Sequence, residues 1–139
     1  MLRYDLRAAN VDPTRWHHLA VTFTRSTRVL AIYLDGKFAT SGKLPAANPK
    51  NALPLQIGRN GPVSGHYFQG KLDDIRIWRS ARSATDIQSA MNQELTSAPA
   101  ELVANWRFND PPGQIATDSV GTQSATLSSG ASFSPDVHP

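Results

Sequence analysis

Two stretches of strand-like patterning stand close together near the start of the chain. His17-His18-Leu19-Ala20-Val21-Thr22-Phe23-Thr24 alternates apolar and polar positions, and Val29-Leu30-Ala31-Ile32-Tyr33-Leu34 follows after only Arg25-Ser26-Thr27-Arg28. A connection that short and polar between two β-rich runs predicts an antiparallel hairpin. Asp35-Gly36 then offers the residue pair that a tight reversal with positive φ requires, so Lys37 to Gly42 is expected to return as a third strand of a meander. Upstream, the alternation of Leu2, Tyr4 and Leu6 predicts a first strand that ends in the turn cluster Asn10-Val11-Asp12-Pro13.

Further along, Pro45 and Pro49 among small polar residues mark Leu44 to Asn51 as a loop, because proline cannot donate to a ladder. Leu53 to Gly58 reads as a short strand and Tyr67 to Trp78 as a long one. Between them lies Arg59-Asn60-Gly61-Pro62-Val63-Ser64-Gly65-His66, expected as an exposed loop. Ser83 followed by Asp86 three residues on is a helix start signal, and Ile87, Ala90 and Met91 share one helical face, so a helix to about Asn92 is expected. Leu102 to Phe108 resumes strand patterning, with Trp106 and Phe108 expected together on the core face. From Ser128 the tail is rich in Ser, Gly and Pro, with Phe133 as a last anchor and loose residues after Pro135.

At 139 residues, with 40% hydrophobic and 18% charged residues, the composition suits one globular core, and 9 glycines with 10 prolines suit many turns. An all-β chain with one short helix fits this pattern best. The net charge of +3 is too small to imply nucleic acid, and the near cluster Arg76, Arg79 and Arg82 lacks the aromatic interleaving of a stacking groove. Absence of cysteine rules out disulfides and thiolate chemistry, and no apolar run nears the ~20 residues of a membrane span.

Candidate chemistry is sparse. His17 and His18 are adjacent, so on a strand they point to opposite faces and cannot share one metal. Asp73 falls in phase with Ile75 and Ile77, which would bury its carboxylate and require backbone donors, an arginine or a cation. The two glutamates, Glu94 and Glu101, fall outside any paired-carboxylate spacing, and no Ser-His-Asp order, phosphate-binding glycine loop or His-Glu-x-x-His pattern occurs, so no enzyme activity is expected. The richest loop is that from Arg59 to Tyr67, where Arg59, Asn60, His66 and Tyr67 are candidates for hydrogen bonding to and stacking on a sugar; a plain turn with the tyrosine packed on its rim is the alternative.

Three ordered phrases carry a resemblance: Trp16-His17-His18-Leu19-Ala20, Leu30 to Gly36 ending in Tyr33-Leu34-Asp35-Gly36, and Gly70-Lys71-Leu72-Asp73-Asp74-Ile75-Arg76-Ile77-Trp78. They resemble the laminin G-like, concanavalin A-like jelly-roll family. Ser83-Ala84-Thr85-Asp86-Ile87 is similar to the helix after its last strand. Leu102 to Asn109 is similar to its "L-V-A-Y-W-x-F-D/N" strand, and Asp118-Ser119-Val120-Gly121 to its "D-S-S-G" turn. The resemblance implies an all-β, antiparallel jelly-roll sandwich with one short helix, over a single domain at 1–139. Residues 1–96 correspond to the later part of the family pattern, and 101–133 to closing strands or the start of a further repeat. Two early family strands have no counterpart, so the chain is expected either to begin in mid-domain or to be a shortened member.

The resemblance further implies a non-catalytic binding or adhesion module of an extracellular or cell-surface multidomain protein, with polysaccharide or cell-surface glycan as ligand. The alternative is a structural or protein-interaction domain that shares strands with another chain or domain. It also implies a structural calcium with Asp73 and Asp118 as ligands, although Thr122 and Gln123 stand where amide oxygens are usual; a hydrogen-bonded carboxylate is the other reading.

Overall fold

The computed structural model describes residues 2–46, 53–59, 67–95, 97–128 and 130–134. Its elements are β1 (Leu19–Thr24), β2 (Val29–Leu34), β3 (Lys37–Lys43), β4 (Ile75–Trp78), α1 (Ala84–Ala90), β5 (Leu102–Trp106), β6 (Ile115–Ala116) and β7 (Ala125–Thr126). The pairings of β1 with β2, β2 with β3 and β6 with β7 are antiparallel, and among the described residues the helix is single, which fits the all-β class. The chain groups into two compact units, residues 1–47 with 77–103 and residues 48–76 with 104–137.

In the first unit β1, β2 and β3 form a meander in that order. Leu19 lies opposite Leu34, Val21 opposite Ile32 and Phe23 opposite Leu30, so the aliphatic side chains of β1 and β2 share one face. The Asp35-Gly36 reversal has φ of 49° and 73°, the positive pair of a type I′ turn, whose twist matches that of the strands. Gly36 is also the residue that lets α1 approach: a Cβ there would lie 3.0 Å from Met91 Sδ and 3.1 Å from Gln88 Cγ. α1 begins with a complete capping box, in which Ser83 Oγ accepts from the Asp86 backbone and the Asp86 carboxylate accepts from the Ser83 backbone. Ile87 is its buried residue, while Ala90 and Met91 are half-buried.

Two expected strands are absent in this part and the next. Leu2 and Tyr4 are half-buried in alternation but form no ladder, and the turn comes earlier, at Leu6–Asn10. Asp5 causes that shift, since its Oδ1 accepts from the backbone of Arg7 and Ala8 and holds the chain in a local turn. Leu53 to Gly58 is likewise not a strand; Pro54 removes a donor and no described strand pairs with it. The anticipated long strand from Tyr67 reduces to an isolated bridge at Tyr67 and to β4, because Asp74 takes a left-handed φ of 45° immediately before Ile75. The loop expected over Leu44 to Asn51 and the tail after Pro135 extend beyond the described residues.

β4 and β5 form a two-stranded sheet, extended by donation from Arg79 N to Glu101 O. β5 is the most deeply buried strand: Leu102, Ala104, Asn105 and Trp106 are all buried. In the second unit Trp106 Nε1 donates to Gln123 O at 2.8 Å, and Ala116 and Asp118 complete the buried set around it. The expected continuation to Phe108 fails, since Phe108 has φ of 56° and is only half-buried, so it does not share the face of Trp106.

Candidate functional site

The two described ends of the loop singled out by sequence, Arg59 and Tyr67, are brought together as an antiparallel bridge. Phe68 N donates to Gly58 O at 2.7 Å and closes the base of the loop. The Arg59 guanidinium carbon lies 5.7 Å from the Tyr67 ring centroid, within cation–π range. Tyr67 is 50% exposed and its neighbour Phe68 57%, so two aromatic rings remain at the surface, that of Tyr67 beside a guanidinium. A Cβ on Gly70 would come within 2.8 Å of the Phe68 ring, which shows the ring folded back along its own chain. Asn60 and His66, the other two candidates, lie outside the described residues. Phe68 was not singled out by sequence reasoning, because its place next to Tyr67 does not say which way its ring faces.

Asp118 is a buried carboxylate held by several backbone donors. Its Oδ1 accepts from Asn105 N at 3.0 Å and Val120 N at 3.1 Å, its Oδ2 from Gln123 N at 3.1 Å, and the Gly121 backbone donates as well. Burial pushes its pKa up, but the backbone donors from Asn105, Gly121, Val120 and Gln123 outweigh that and hold it below the ordinary carboxylate value. In return Ser119 N donates to Asn105 O, so this turn is laced to β5 by both backbone and side chain.

Asp73 does not lie on the Ile75 and Ile77 face, because the left-handed Asp74 interrupts the alternation before β4 begins. Its Oδ1 accepts from Asp74 N, and it is Asp74 that pairs with Arg76, through Nε at 3.0 Å and through Nη2. Asp73 and Asp118 thus have separate partners, and among the described residues no group of three His, Cys, Asp or Glu side chains is placed to hold a metal ion. The N–H groups around the Asp118 carboxylate present positive dipoles where a cation would sit, so Asp118 as placed does not fit the implied calcium.

The adjacent histidines precede β1 rather than lying in it. His17 Nδ1 meets Asp35 Oδ2 at 2.9 Å and its Nε2 meets Asp12 O at 2.8 Å, while His18 N donates to Asp35 Oδ1 at 2.9 Å. Both ring nitrogens of His17 face acceptors, which only the imidazolium can satisfy together. The hydrogen bond to Asp35 and then that to Asp12 O raise the His17 pKa. Burial raises that of Asp35, but donation from His17 and from the His18 backbone wins and lowers it. Asp35, read from sequence only as a turn residue, is the tie between the turn and the histidines.

Two open depressions, about 300 Å³ beside Asp110 to Ile115 and about 460 Å³ beside Arg3 to Arg7, contain neither Arg59 nor Tyr67. No helix among the described residues is long and apolar enough to cross a membrane.

A family model described as the concanavalin A-like lectin/glucanases superfamily matches residues 3–88. Among solved structures, the chain is similar to a protein from Bacteroides ovatus described as a candidate carbohydrate-binding protein, with a TM-score of 0.61 and 20% identity over 88% of this chain and 38% of that one. It is also similar to an S-layer domain-containing protein from Clostridium thermocellum, with a TM-score of 0.49 and 24% identity over 59% of this chain and 42% of that one. The chain therefore spans well under half the length of either. No curated protein is significantly similar to it.

Proposed function

The chain belongs to the concanavalin A-like lectin/glucanases superfamily, and from that premise we propose that it is a non-catalytic binding module for polysaccharide or cell-surface glycan in an extracellular or cell-surface protein. The observation that carries the reading is the bridged pair Arg59 and Tyr67, where the exposed Tyr67 ring presents aromatic surface beside the Arg59 guanidinium and Phe68 exposes a second ring next in sequence. Aromatic rings accept the apolar faces of sugar rings, and a guanidinium donates to hydroxyl oxygens in a planar fork. An exposed platform of this kind suits one stretch of a long polymer better than a small enclosed substrate. The neighbour from Bacteroides ovatus, described as a candidate carbohydrate-binding protein, supports the same class. The described carboxylates support binding over hydrolysis: Asp118 is engaged by backbone donors, and Asp74 is paired with Arg76.

A polysaccharide and glycan array followed by titration calorimetry tests this reading. We expect weak binding to a polymer that Tyr67→Ala and Arg59→Ala each reduce, and retained binding in Asp73→Asn and Asp118→Asn. No binding above background to any glycan overturns it.

A further inference from the structure

The three-stranded meander has two edges of opposite character. β3 begins with Lys37 and ends with Lys43, both exposed, and its pairing with β2 is irregular between Ile32 and Tyr33. Flanking lysines and an irregular register are how an edge is guarded against further pairing. β1, Leu-Ala-Val-Thr-Phe-Thr, carries no charge, no proline and no bulge. Its apolar side chains are uncovered in a row, with Leu19 63%, Val21 57% and Phe23 38% exposed, whereas β3 leaves the single ring of Phe38 exposed at 60%.

The hydrogen-bond phase of β1 says which of its backbone groups face outward. Asp35 N donates to His18 O, so His18 faces β2 with its backbone. By the alternation of an antiparallel pair, Ala20, Thr22 and Thr24 do the same, while Leu19, Val21 and Phe23 turn their N–H and C=O groups to the open side. Among the described residues β2 is the one strand neighbour of β1.

We propose that β1 pairs antiparallel with β1 of a second copy of this chain, about a two-fold axis at Val21. In that register Val21 lies opposite Val21 and Leu19 opposite Phe23. All three outward-facing residues then become hydrogen-bonded pairs, and the exposed apolar side chains of both copies fall on one face. A shift by one residue would break both conditions at once. Electrostatics select the same edge. Self-pairing through β3 would bring lysines from both copies to one edge, whereas pairing through β1 opposes no like charges within the strand. It also brings Arg25 of each copy to the level of the other copy's His17–Asp35 ion pair, whose two charges offset, so that contact adds no net repulsion. One strand pair buries less than a standard interface, so association is weak and concentration-dependent.

Sedimentation velocity and amide hydrogen exchange of the full chain, each from micromolar to millimolar protein, test the proposal. We expect the sedimentation coefficient to rise with concentration. The amides of Leu19, Val21 and Phe23 should slow by roughly tenfold at the high end while those of Ala20, Thr22 and Thr24 stay unchanged. Val21→Lys, which opposes two ammonium groups on the axis, should remain monomeric throughout, and Lys37→Ala should associate as the wild type does. A wild-type chain that stays monomeric with unchanged exchange at all three outward amides overturns the proposal, as does a Val21→Lys chain that still associates. If Val21→Lys does not fold, the wild-type exchange series decides alone.

Discussion

Single residues in this chain are governed by whether their polar atoms find partners. Asp118 closes four backbone donors, so Asp118→Ala should leave buried N–H groups unpaired and cost about 2–4 kcal/mol in denaturant unfolding. Asn105 is the opposite case. Its side chain is 1% exposed and neither its Oδ1 nor its Nδ2 has a partner among the described residues, so Asn105→Leu, which removes two buried polar atoms at similar volume, should be neutral or stabilising by about 1 kcal/mol. A clear loss of stability in that variant would show that the amide has a partner after all. His17 gives the pH dependence. Its pKa is raised above the ordinary 6.5, so its stabilising contribution is complete below 6.5 and is lost as pH rises through the higher folded value. Asp35 is lowered from 3.8, so its contribution is present above 3.8 and is lost as pH falls through the folded value. The melting-temperature gap between wild type and His17→Gln should therefore be widest between these limits and shrink on the alkaline side.

Elements were legible where local chemistry alone decides them. The hairpin, the Asp35-Gly36 turn and the capped helix needed only alternation, a positive-φ pair and a Ser83–Asp86 box, and each stands where the sequence placed it. Ser83→Ala should accordingly cost about 1 kcal/mol, read by chemical denaturation. Illegible were the places where one residue redirects the backbone: Asp5 captures two amides and ends the first strand before it forms, and Asp74 and Phe108 turn left-handed where alternation predicted continuation. An aspartate that accepts local donors and an aspartate in a strand look alike in sequence. That is why Asp73 was placed on a buried face it does not occupy. Trp106 was placed correctly in the core, and its indole bond to Gln123 O adds to its burial, so Trp106→Ala should cost roughly 3–5 kcal/mol by the same measurement.

At the scale of the whole molecule, the family was readable from three ordered phrases because each encodes a turn or strand junction that the fold needs, whereas the geometry of the proposed binding set was readable only in part. Arg59 and Tyr67 do meet, but Phe68 and the Asp35 tie depend on which way a ring or carboxylate faces, and spacing along a chain does not carry that. The metal expectation has a whole-molecule test: since backbone N–H groups occupy the Asp118 oxygens, calcium and a strong chelator should leave the melting temperature the same, and a rise with added calcium would overturn the fit argument. The three tryptophans, finally, divide as optical reporters. Trp106, dry and hydrogen-bonded, belongs to the second compact unit, while Trp16 and Trp78, the latter 4.6 Å beneath the Arg82 guanidinium, belong to the first. With excitation selective for tryptophan, a Trp106→Phe chain emits only from the first unit, and the difference between its spectrum and that of the wild type isolates the second, so the melting of each half can be followed by fluorescence without attaching a dye.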